Sequence, residues 1–291
     1  MKPWLALPVG LLAVAAAWFW WAPDALPDGY AAECRLSRDQ QLTIACTSDC
    51  GPFNRRALRK AAAALGYRLD LVGDLSRLDD AHPRHIDALL IPGGADIDPR
   101  WYSSSLPEDL RQRLQRLDHL IVYSNEGRRR DPFEYHLLKN YFRDPGSLQT
   151  PLLGICRGMQ LLSVVQGVPL HVDIATELGI ANRRYRFDTV RVDDGAATIA
   201  RLVGTAPFSA LELHHQALDL DYLKAHPHRF RQLAVTATSH DGRIAEVLEF
   251  AGRPVIGTQF HPELSLAPVR APLFRWLLVN ACRKHTSEPV P

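Results

Sequence analysis

Short apolar runs alternate with amphipathic segments along the chain from about residue 42 onward. Aliphatic runs of about four to eight residues are typical of buried strands, and longer segments with apolar residues three or four apart are typical of helices. Strands are therefore predicted at 42–46, 67–72, 86–91 and 152–155, and helices at 54–65, 131–142 and 157–166. Because strands alternate with helices, we expect an α/β fold whose parallel sheet is covered on both faces.

The C-terminal half has a different pattern that is richer in β-type runs. These runs are found at 189–192, 232–238, 244–250 and 255–260, and a closing helix is predicted at 268–282. We expect them to extend the same sheet and to add a small antiparallel appendage. In folds of this kind, the chemistry is located in crevices at the carboxyl ends of the strands.

Residues 4–22 form an apolar segment without a charged side chain, and they contain four of the six tryptophans. A helix of this length, rising about 1.5 Å per residue, nearly spans a hydrocarbon core of roughly 30 Å. We predict an uncleaved membrane anchor, with a cleaved signal peptide and a soluble segment as alternatives. Lys2 precedes the segment and acidic residues follow it, which favours a single-pass protein whose domain is periplasmic or otherwise outside the cytoplasm.

The predicted organisation has four parts. They are a membrane anchor at 1–25, a linker rich in proline, glycine and acidic residues at 26–41, a domain at 42–283 and a tail at 284–291. The expected contact with the membrane is made through the N-terminal helix alone.

Composition and charge exclude several classes of protein. The 34 Lys and Arg residues against 32 Asp and Glu residues give a formal net charge of +2, so no nucleic-acid partner is expected. Five cysteines in 291 residues are too few for a disulfide scaffold. Outside the cytoplasm, two of Cys34, Cys46 and Cys50 could pair, and the alternative is that they stay unpaired, with Cys46 in the core as the last residue of a strand.

The strongest local signal is the run from Gly154 through Cys156 to Gly158, in which a buried strand leads through a cysteine into a helix. Small residues on either side of a nucleophile allow a sharp strand-to-helix turn that raises its side chain at the helix N-terminus. The free amides and the helix dipole favour the thiolate there, and the thiolate is the reactive form of cysteine. Cys156 is therefore predicted to be a nucleophile, with a buried structural cysteine as the alternative.

Two further motifs supply partners for a thiolate. His261 and Glu263 follow a strand-like run, and attack on a carbonyl needs an imidazole to transfer the proton and a carboxylate to orient the imidazole. The glycine turn at 91–99 lets backbone amides approach a substrate, as an oxyanion hole requires. This turn lacks the features of a phosphate-binding loop or a dinucleotide fingerprint, so it predicts no nucleotide cofactor.

Together these motifs resemble the class I glutamine amidotransferase-like hydrolases and, within them, the gamma-glutamyl-gamma-aminobutyrate hydrolases. The similarity covers about residues 42–283, and it is most specific at 91–102, 130–134, 151–174, 213–217 and 256–264. The resemblance implies a flavodoxin-like parallel sheet flanked by helices. It also implies a hydrolase that cleaves the amide bond of a small γ-glutamyl substrate through a thioester, without a cofactor.

The resemblance assigns roles to individual residues. It makes Cys156 the nucleophile, His261 the base and Glu263 the carboxylate that orients the base. The backbone amides of Gly94 and Arg157 are expected to form the oxyanion hole. Substrate binding is expected from Gly93, Gln160, His214 and His215, with Gln216 on the same loop.

Other polar residues have simpler interpretations. Glu212 replaces a small polar residue of that family, and we expect it at the pocket mouth near the leaving amine. Residues 128–130 are expected to form a solvated face, and Asp131 and Glu134 to cap a helix. His214 and His215 lack a second ligand group at a recognised spacing, so no metal site is expected.

Three functions fit these observations. The first is a γ-glutamyl amide hydrolase, and the second is a glutaminase subunit that supplies ammonia to a partner synthase through the same three residues. The third is a non-catalytic binding domain tethered to a membrane. The joint presence of Cys156, His261 and Glu263 favours the two enzymes over the third hypothesis.

Overall fold

The computed structural model of the protein describes residues 24–26, 33–75, 85–181, 186–193, 195 and 197–287. Its strands are β1 Leu42–Cys46, β2 Leu69–Val72, β3 Ala88–Ile91, β4 Leu152–Ile155, β5 Leu170–His171, β6 Arg186–Val192, β7 Phe208–Glu212, β8 Ala217–Leu218, β9 Leu233–Ser239, β10 Ile244–Phe250 and β11 Val255–Thr258. Its α-helices are α1 Gly51–Leu65, α2 Glu108–Leu117, α3 Asn125–Arg143, α4 Arg157–Gln166, α5 Ile174–Leu178, α6 Thr198–Val203, α7 Leu220–Ala225 and α8 Ala267–Ser287.

Nine strands form one sheet in the order β2-β1-β3-β4-β11-β10-β9-β6-β7. The strands from β2 to β11 in this order are parallel, whereas β10, β9, β6 and β7 join by antiparallel pairing. β5 and β8 form a separate antiparallel pair. The predicted parallel sheet with an antiparallel appendage is confirmed, and the appendage continues the main sheet.

Helices cover both faces of the parallel half because its central strands are apolar on both faces. Ile44, Leu90 and Leu153 pack with α1 and α8 in one core cluster. Their neighbours Leu89 and Leu152 pack with α3 and α4 in a second cluster on the opposite face. Successive side chains of a strand point to opposite faces, so these two clusters follow directly from runs without polar residues.

Helix α3 begins six residues before the predicted start at 131. Ser124 is its N-cap, since the Ser124 side chain accepts a hydrogen bond from the Gly127 amide at 2.9 Å. Pro132 lies inside the helix, and Asp131 accepts a hydrogen bond from the Asp98 amide at 2.9 Å instead of capping the helix. The prediction that 131 opens the helix is wrong because a distant loop, and not the first helical turn, uses the Asp131 carboxylate.

The predicted anchor at 4–22 lies outside the described residues, as do residues 27–32 of the linker and 288–291 of the tail. Among the described residues, no helix is both long enough and apolar enough to cross a membrane. The described part of the N-terminal region contacts the last helix: Asp24 forms a buried ion pair with Arg270 at 2.8 Å, and Cys34 is bonded to Cys282. Residue 34 is therefore covalently attached to α8.

Two disulfides connect four of the five cysteines. Cys46 pairs with Cys50, as the sequence allowed, and Cys34 pairs with Cys282, which the sequence had not put forward. Cys156 is the free cysteine. Any chemistry that requires a free thiol in the oxidised protein is therefore limited to Cys156.

Loss of the long-range disulfide is expected to destabilise the protein more than loss of the local one. The Cys34–Cys282 bond closes a loop of sequence separation 248, whereas the Cys46–Cys50 bond has a separation of 4. A longer closed loop removes more entropy from the unfolded chain, and a disulfide of this kind contributes about 2–4 kcal/mol. Urea unfolding of C34S/C282S and of C46S/C50S will compare the two, and an equal loss of unfolding free energy would contradict this account.

Candidate active site

Cys156 occupies the turn between β4 and α4, with φ 52° and ψ −104°. A positive φ is a backbone conformation that residues other than glycine rarely adopt, and backbone strain of this kind is concentrated at functional sites. The Cys156 amide donates to the Thr258 carbonyl at 2.6 Å, which fixes the turn against β11. The thiol therefore lies at the carboxyl edge of the sheet, at the N-terminus of a helix.

The glycine two residues after Cys156 is required by packing. A Cβ atom at Gly158 would overlap with the carbonyl oxygen of Ile91 at the end of β3. Helix α4 can therefore pack this closely against β3 only because residue 158 is glycine. The sequence prediction that small residues surround the cysteine agrees with this geometry.

His261 and Glu263 follow β11, which is the neighbour of β4 in the sheet. The two strands run parallel with Ile155 opposite Thr258, so Cys156 and His261 leave the sheet at the same edge. The Nδ1 atom of His261 lies 2.7 Å from Oε1 of Glu263. With Nδ1–H donating to the carboxylate, Nε2 is the ring nitrogen left to exchange a proton with the thiol.

The glycine turn after β3 closes the third side of this site. A Cβ atom at Gly93 would lie 2.9 Å from Cε1 of His261 and 3.6 Å from Cβ of Cys156. Gly93 therefore leaves room for the imidazole beside the thiol. Gly94 is the next residue of the turn, and Arg157 is the first residue of α4, so the Arg157 amide has no acceptor within its own helix.

The thiol and the imidazole are electrostatically coupled. Burial lowers the pKa of His261, but the adjacent Cys156 and then Glu263 outweigh burial and raise that pKa to about 10. His261 thus lies between the sulfur of Cys156 and the carboxylate of Glu263, the two groups that favour its protonated form. The arrangement can supply a nucleophile and an acid for a leaving nitrogen at neutral pH.

A buried ionic network lies beneath the glycine turn. Arg157 pairs with Asp131 and with Glu134, and Glu134 also accepts a hydrogen bond from Nε of Arg130 at 3.0 Å. Arg130 donates to the carbonyls of Pro92 and Gly93, each at 2.8 Å. The network thus holds the backbone of the turn against the start of α4.

This network corrects two predictions from the sequence. Arg130 was expected on a solvated face, and Asp131 and Glu134 were expected as helix caps, yet all three are buried. The reason is tertiary, because α3 directs this face towards the Arg157 guanidinium at the sheet edge. The motif at 130–134 was one of the signals shared with the family that the chain resembles, and it could have pointed to this role.

Two expected substrate-binding residues meet at the loop between β7 and β8. His215 lies on this loop, and Gln160 contacts it from α4. Gln160 donates from Nε2 to the Gln216 carbonyl at 2.9 Å. His215 lies 2.9 Å from Asp96 and 3.4 Å from Asp173, and its hydrogen bond to Asp96 is the main cause that raises its pKa. The structure thus connects the His215 loop to the turn after β3 through an ion pair.

His214 and Gln216 are buried on that loop. His214 donates from Nδ1 to the Gln216 carbonyl at 2.9 Å, and burial lowers the His214 pKa to about 4. Both polar atoms of the Gln216 amide are buried without a hydrogen-bond partner among the described residues. An orphaned amide of this kind is available to a bound ligand.

Two further polar residues differ from the sequence expectations. Gln259, which no sequence pattern assigned to the site, places Nε2 3.6 Å from Sγ of Cys156. Glu212, expected at the pocket mouth, is buried beside Glu246 and Asp188. The expectation for Glu212 is wrong because β7 pairs with β6, which directs this carboxylate into the antiparallel half of the sheet.

The fold and this cysteine–histidine–glutamate arrangement are those of a glutamine amidotransferase-like protein of class I. The chain belongs to the Peptidase C26 family, whose model matches residues 62–263. It is 30% identical over 246 residues to a CTP synthase of Rubrobacter xylanophilus, covering 74% of this chain and 43% of the synthase. It is also 30% identical to the protein NtpR of Enterococcus hirae, covering 64% of this chain and 70% of NtpR.

A solved structure shows the same fold. The glutaminase domain of the Trypanosoma brucei CTPS, with bound acivicin, superposes with a TM-score of 0.59 at 15% identity, covering 83% of this chain and 94% of that domain. The chain thus spans less than half of the CTP synthase that it matches in sequence and nearly all of a glutaminase domain in structure. These findings support the broader family, and they do not single out the gamma-glutamyl-gamma-aminobutyrate hydrolases within it.

Proposed function

We propose that this protein is a cysteine hydrolase that breaks the C–N bond of a γ-glutamyl amide, with glutamine as its first candidate substrate. The observation that carries the proposal is the free thiol of Cys156, strained at a helix N-terminus beside a histidine that Glu263 orients. Family membership and the match to a glutaminase domain support the same reaction class.

The proposed reaction has two halves. In the first half, the Cys156 thiolate attacks the amide carbon, and the amides of Gly94 and Arg157 donate to the resulting oxyanion. The His261 imidazolium protonates the leaving nitrogen, the C–N bond breaks, and a thioester remains on Cys156. In the second half, neutral His261 takes a proton from water, which attacks the thioester and releases glutamate and the thiolate.

The leaving group separates two versions of this function. The CTP synthase relatives favour glutamine, with the ammonia passed to a partner synthase. The two disulfides favour a self-contained hydrolase that acts on a γ-glutamyl amide of a larger amine, because disulfides persist in oxidising compartments outside the cytoplasm. The same disulfides support our proposal that the domain is periplasmic or otherwise extracytoplasmic.

A substrate comparison tests the proposal. Purified oxidised protein is incubated with glutamine and with γ-glutamyl amides of neutral, cationic and acidic amines, and the release of ammonia or amine is measured. Faster release from glutamine only when cell extract is added supports a partner-dependent glutaminase, whereas release from amine substrates without extract supports the self-contained hydrolase. No release from any of them by the wild type, with or without extract, would contradict the proposed function.

The pH dependence should identify His261 as the leaving-group acid. Because the pKa of His261 is raised to about 10, kcat/KM is expected to stay level through neutral pH and to fall as pH rises through about 10. Glu263→Gln removes one of the groups that raise this pKa, so the alkaline limb is expected to move to lower pH. Glu108→Gln, at an exposed carboxylate of α2, is the control and should leave the limb in place. An unchanged limb in Glu263→Gln would contradict the assignment.

A further inference from the structure

A cluster of five titratable side chains lies at the junction of β6, β7, β9 and β10, and the proposed reaction does not use it. Its members are Asp188 on β6, Glu212 at the end of β7, His214 on the following loop, His240 after β9 and Glu246 on β10. The cluster combines two histidines with three carboxylates, so it differs from an acidic surface patch. Its residues come from three regions of the chain, at 188, 212–214 and 240–246, which meet only in the folded sheet.

The ligand atoms of this cluster converge on Glu212. One oxygen each from Glu212 and Glu246 and one nitrogen from His214 lie within 4.8 Å of one another, and Asp188, Glu212 and His240 satisfy the same limit. Oε2 of Glu212 lies 3.8 Å from Nε2 of His214 and 3.6 Å from Nε2 of His240. These separations leave room for an atom between the ligand groups.

The inner three residues are buried and incompletely bonded. Glu246 is fully buried, and the side chains of Glu212 and His214 are 6% and 2% exposed. Oε1 of Glu212, Oε2 of Glu246 and Nε2 of His214 have no hydrogen-bond partner among the described residues. A buried polar atom without a partner is destabilising by a few kcal/mol, so three of them on residues of one cluster indicate a shared ligand.

Hydrogen bonds to the outer atoms of these residues orient them as metal ligands are oriented. Nδ1 of His214 donates to the Gln216 carbonyl at 2.9 Å, which leaves the Nε2 lone pair directed towards Glu212. The Ser239 hydroxyl donates to Oε1 of Glu246 at 2.7 Å, which leaves Oε2 for another partner. Partners of this kind fix the tautomer of a ligating histidine and the orientation of a ligating carboxylate.

We propose that Glu212, His214 and Glu246 bind one divalent transition-metal ion, with Asp188 and His240 as its outer neighbours. A nitrogen ligand with two carboxylates suits Zn²⁺ or Mn²⁺, whereas Mg²⁺ and Ca²⁺ prefer oxygen ligands alone. A doubly charged cation would also balance the charge of the two carboxylates, which repel each other when both are ionised in a buried site. This proposal departs from the sequence expectation that the His214 loop has no metal role.

A bound ion would connect the substrate-side loop to the antiparallel half of the sheet. His214 and Gln160 both donate to the Gln216 carbonyl, so an ion on His214 would hold this loop against β10. The inference does not depend on the proposed reaction. Its readouts are metal content and metal-dependent stability, which remain measurable in an inactive variant.

Metal titration tests the proposal in the Cys156→Ala background, which prevents Zn²⁺ from binding the active-site thiolate. The protein carries no histidine tag and is dialysed against a chelator, and ZnCl2, MnCl2 and MgCl2 are then titrated by calorimetry and thermal unfolding. We expect one Zn²⁺ per chain at this site, a rise in Tm with Zn²⁺, and no response to Mg²⁺. The absence of binding by both Zn²⁺ and Mn²⁺ would overturn the proposal.

Matched variants locate the site. Glu246→Gln is expected to weaken Zn²⁺ binding by at least about tenfold. His285→Gln, in the separate cluster of His85, Asp87 and His285, should leave that affinity unchanged. Loss of the calorimetric site in His285→Gln, or unchanged affinity in Glu246→Gln, would overturn the proposal.

If Glu246→Gln fails to fold, His240→Gln at the outer side of the cluster replaces it, with a several-fold loss of affinity expected.

A further measurement distinguishes a bound metal ion from a proton shared between the carboxylates. Co²⁺ substitution should give a visible absorption band from nitrogen and oxygen ligands, and Glu246→Gln should require a correspondingly higher Co²⁺ concentration to give a band. If the wild type binds no metal and Glu246→Gln only raises Tm, the carboxylates share a proton and the metal proposal is wrong.

Discussion

Replacing Cys156 with alanine is expected to lower kcat by roughly three orders of magnitude or more, without changing the folded structure. The thiolate forms the covalent intermediate in the proposed reaction, and loss of such a nucleophile removes the whole acyl-transfer route. Alanine fits the turn no worse than cysteine, because both residues face the same left-handed strain at φ 52°. The rate of amine release measures the loss of kcat, and the circular dichroism spectrum shows whether the fold is unchanged.

The single free thiol provides an independent check. Under non-reducing conditions, iodoacetamide should label the wild-type protein once, at Cys156, and should not label Cys156→Ala, since the other four cysteines form disulfides. Labelling and activity should be lost together as the reagent is titrated. A labelled protein that retains its activity, or a Cys156→Ala protein with more than about a tenth of wild-type activity, would contradict the nucleophile assignment.

Replacing Glu134 with alanine is expected to lower the unfolding free energy by about 3–5 kcal/mol, the effect of breaking a buried ion pair from one side. Glu134 is fully buried and pairs with both Arg130 and Arg157, which also hold its carboxyl pKa below the usual range although burial opposes this. Without Glu134, Arg130 and Arg157 stay buried but lose a carboxylate that neutralises their charge. Equilibrium unfolding in urea measures the loss.

Glu126 is the matched control for Glu134. It pairs with the same Arg130 at 2.6 Å, but its side chain is 47% exposed, so Glu126→Gln should change stability by less than about 1 kcal/mol. The activity of Glu134→Ala should fall by more than its loss of folded protein explains. Glu134 positions Arg130, which in turn donates to the Pro92 and Gly93 carbonyls of the glycine turn. Equal stability of the two variants would contradict the role given to the buried network.

Elements of the parallel half could be predicted because local sequence decides them. The bounds of β1, β4 and α4 agree with the predictions residue by residue, and β4 and α4 are delimited by Pro151, the turn at Cys156 and Gly167. Boundaries that depend on distant partners were missed, such as the start of α3, where Asp131 serves the loop at Asp98. Strand order could be read only from the folded sheet, in which β4 pairs with β11 across more than a hundred residues.

The candidate site divides in the same way. The three side chains proposed to react lie in motifs whose spacing indicates this chemistry, because a strained turn and an imidazole–carboxylate pair are built from neighbouring residues. The motifs at 130–134 and 256–264 contain Arg130 and Gln259, but their contacts with the carbonyls of the glycine turn and with Sγ of Cys156 could not be predicted from the sequence. Such contacts depend on which elements are packed against each other.

By itself, the sequence determined the α/β alternation, the reactive cysteine motif and the histidine–glutamate pair, because periodicity and close spacing are local properties of a chain. The tertiary structure alone decided that Cys34 pairs with Cys282 and that Arg157 is neutralised by α3. It also decided that Glu212 meets His214 and Glu246 in the core. These contacts join segments that are distant in sequence. A buried charged group is tolerated only when its partners are also in place to neutralise it, and that depends on the tertiary structure.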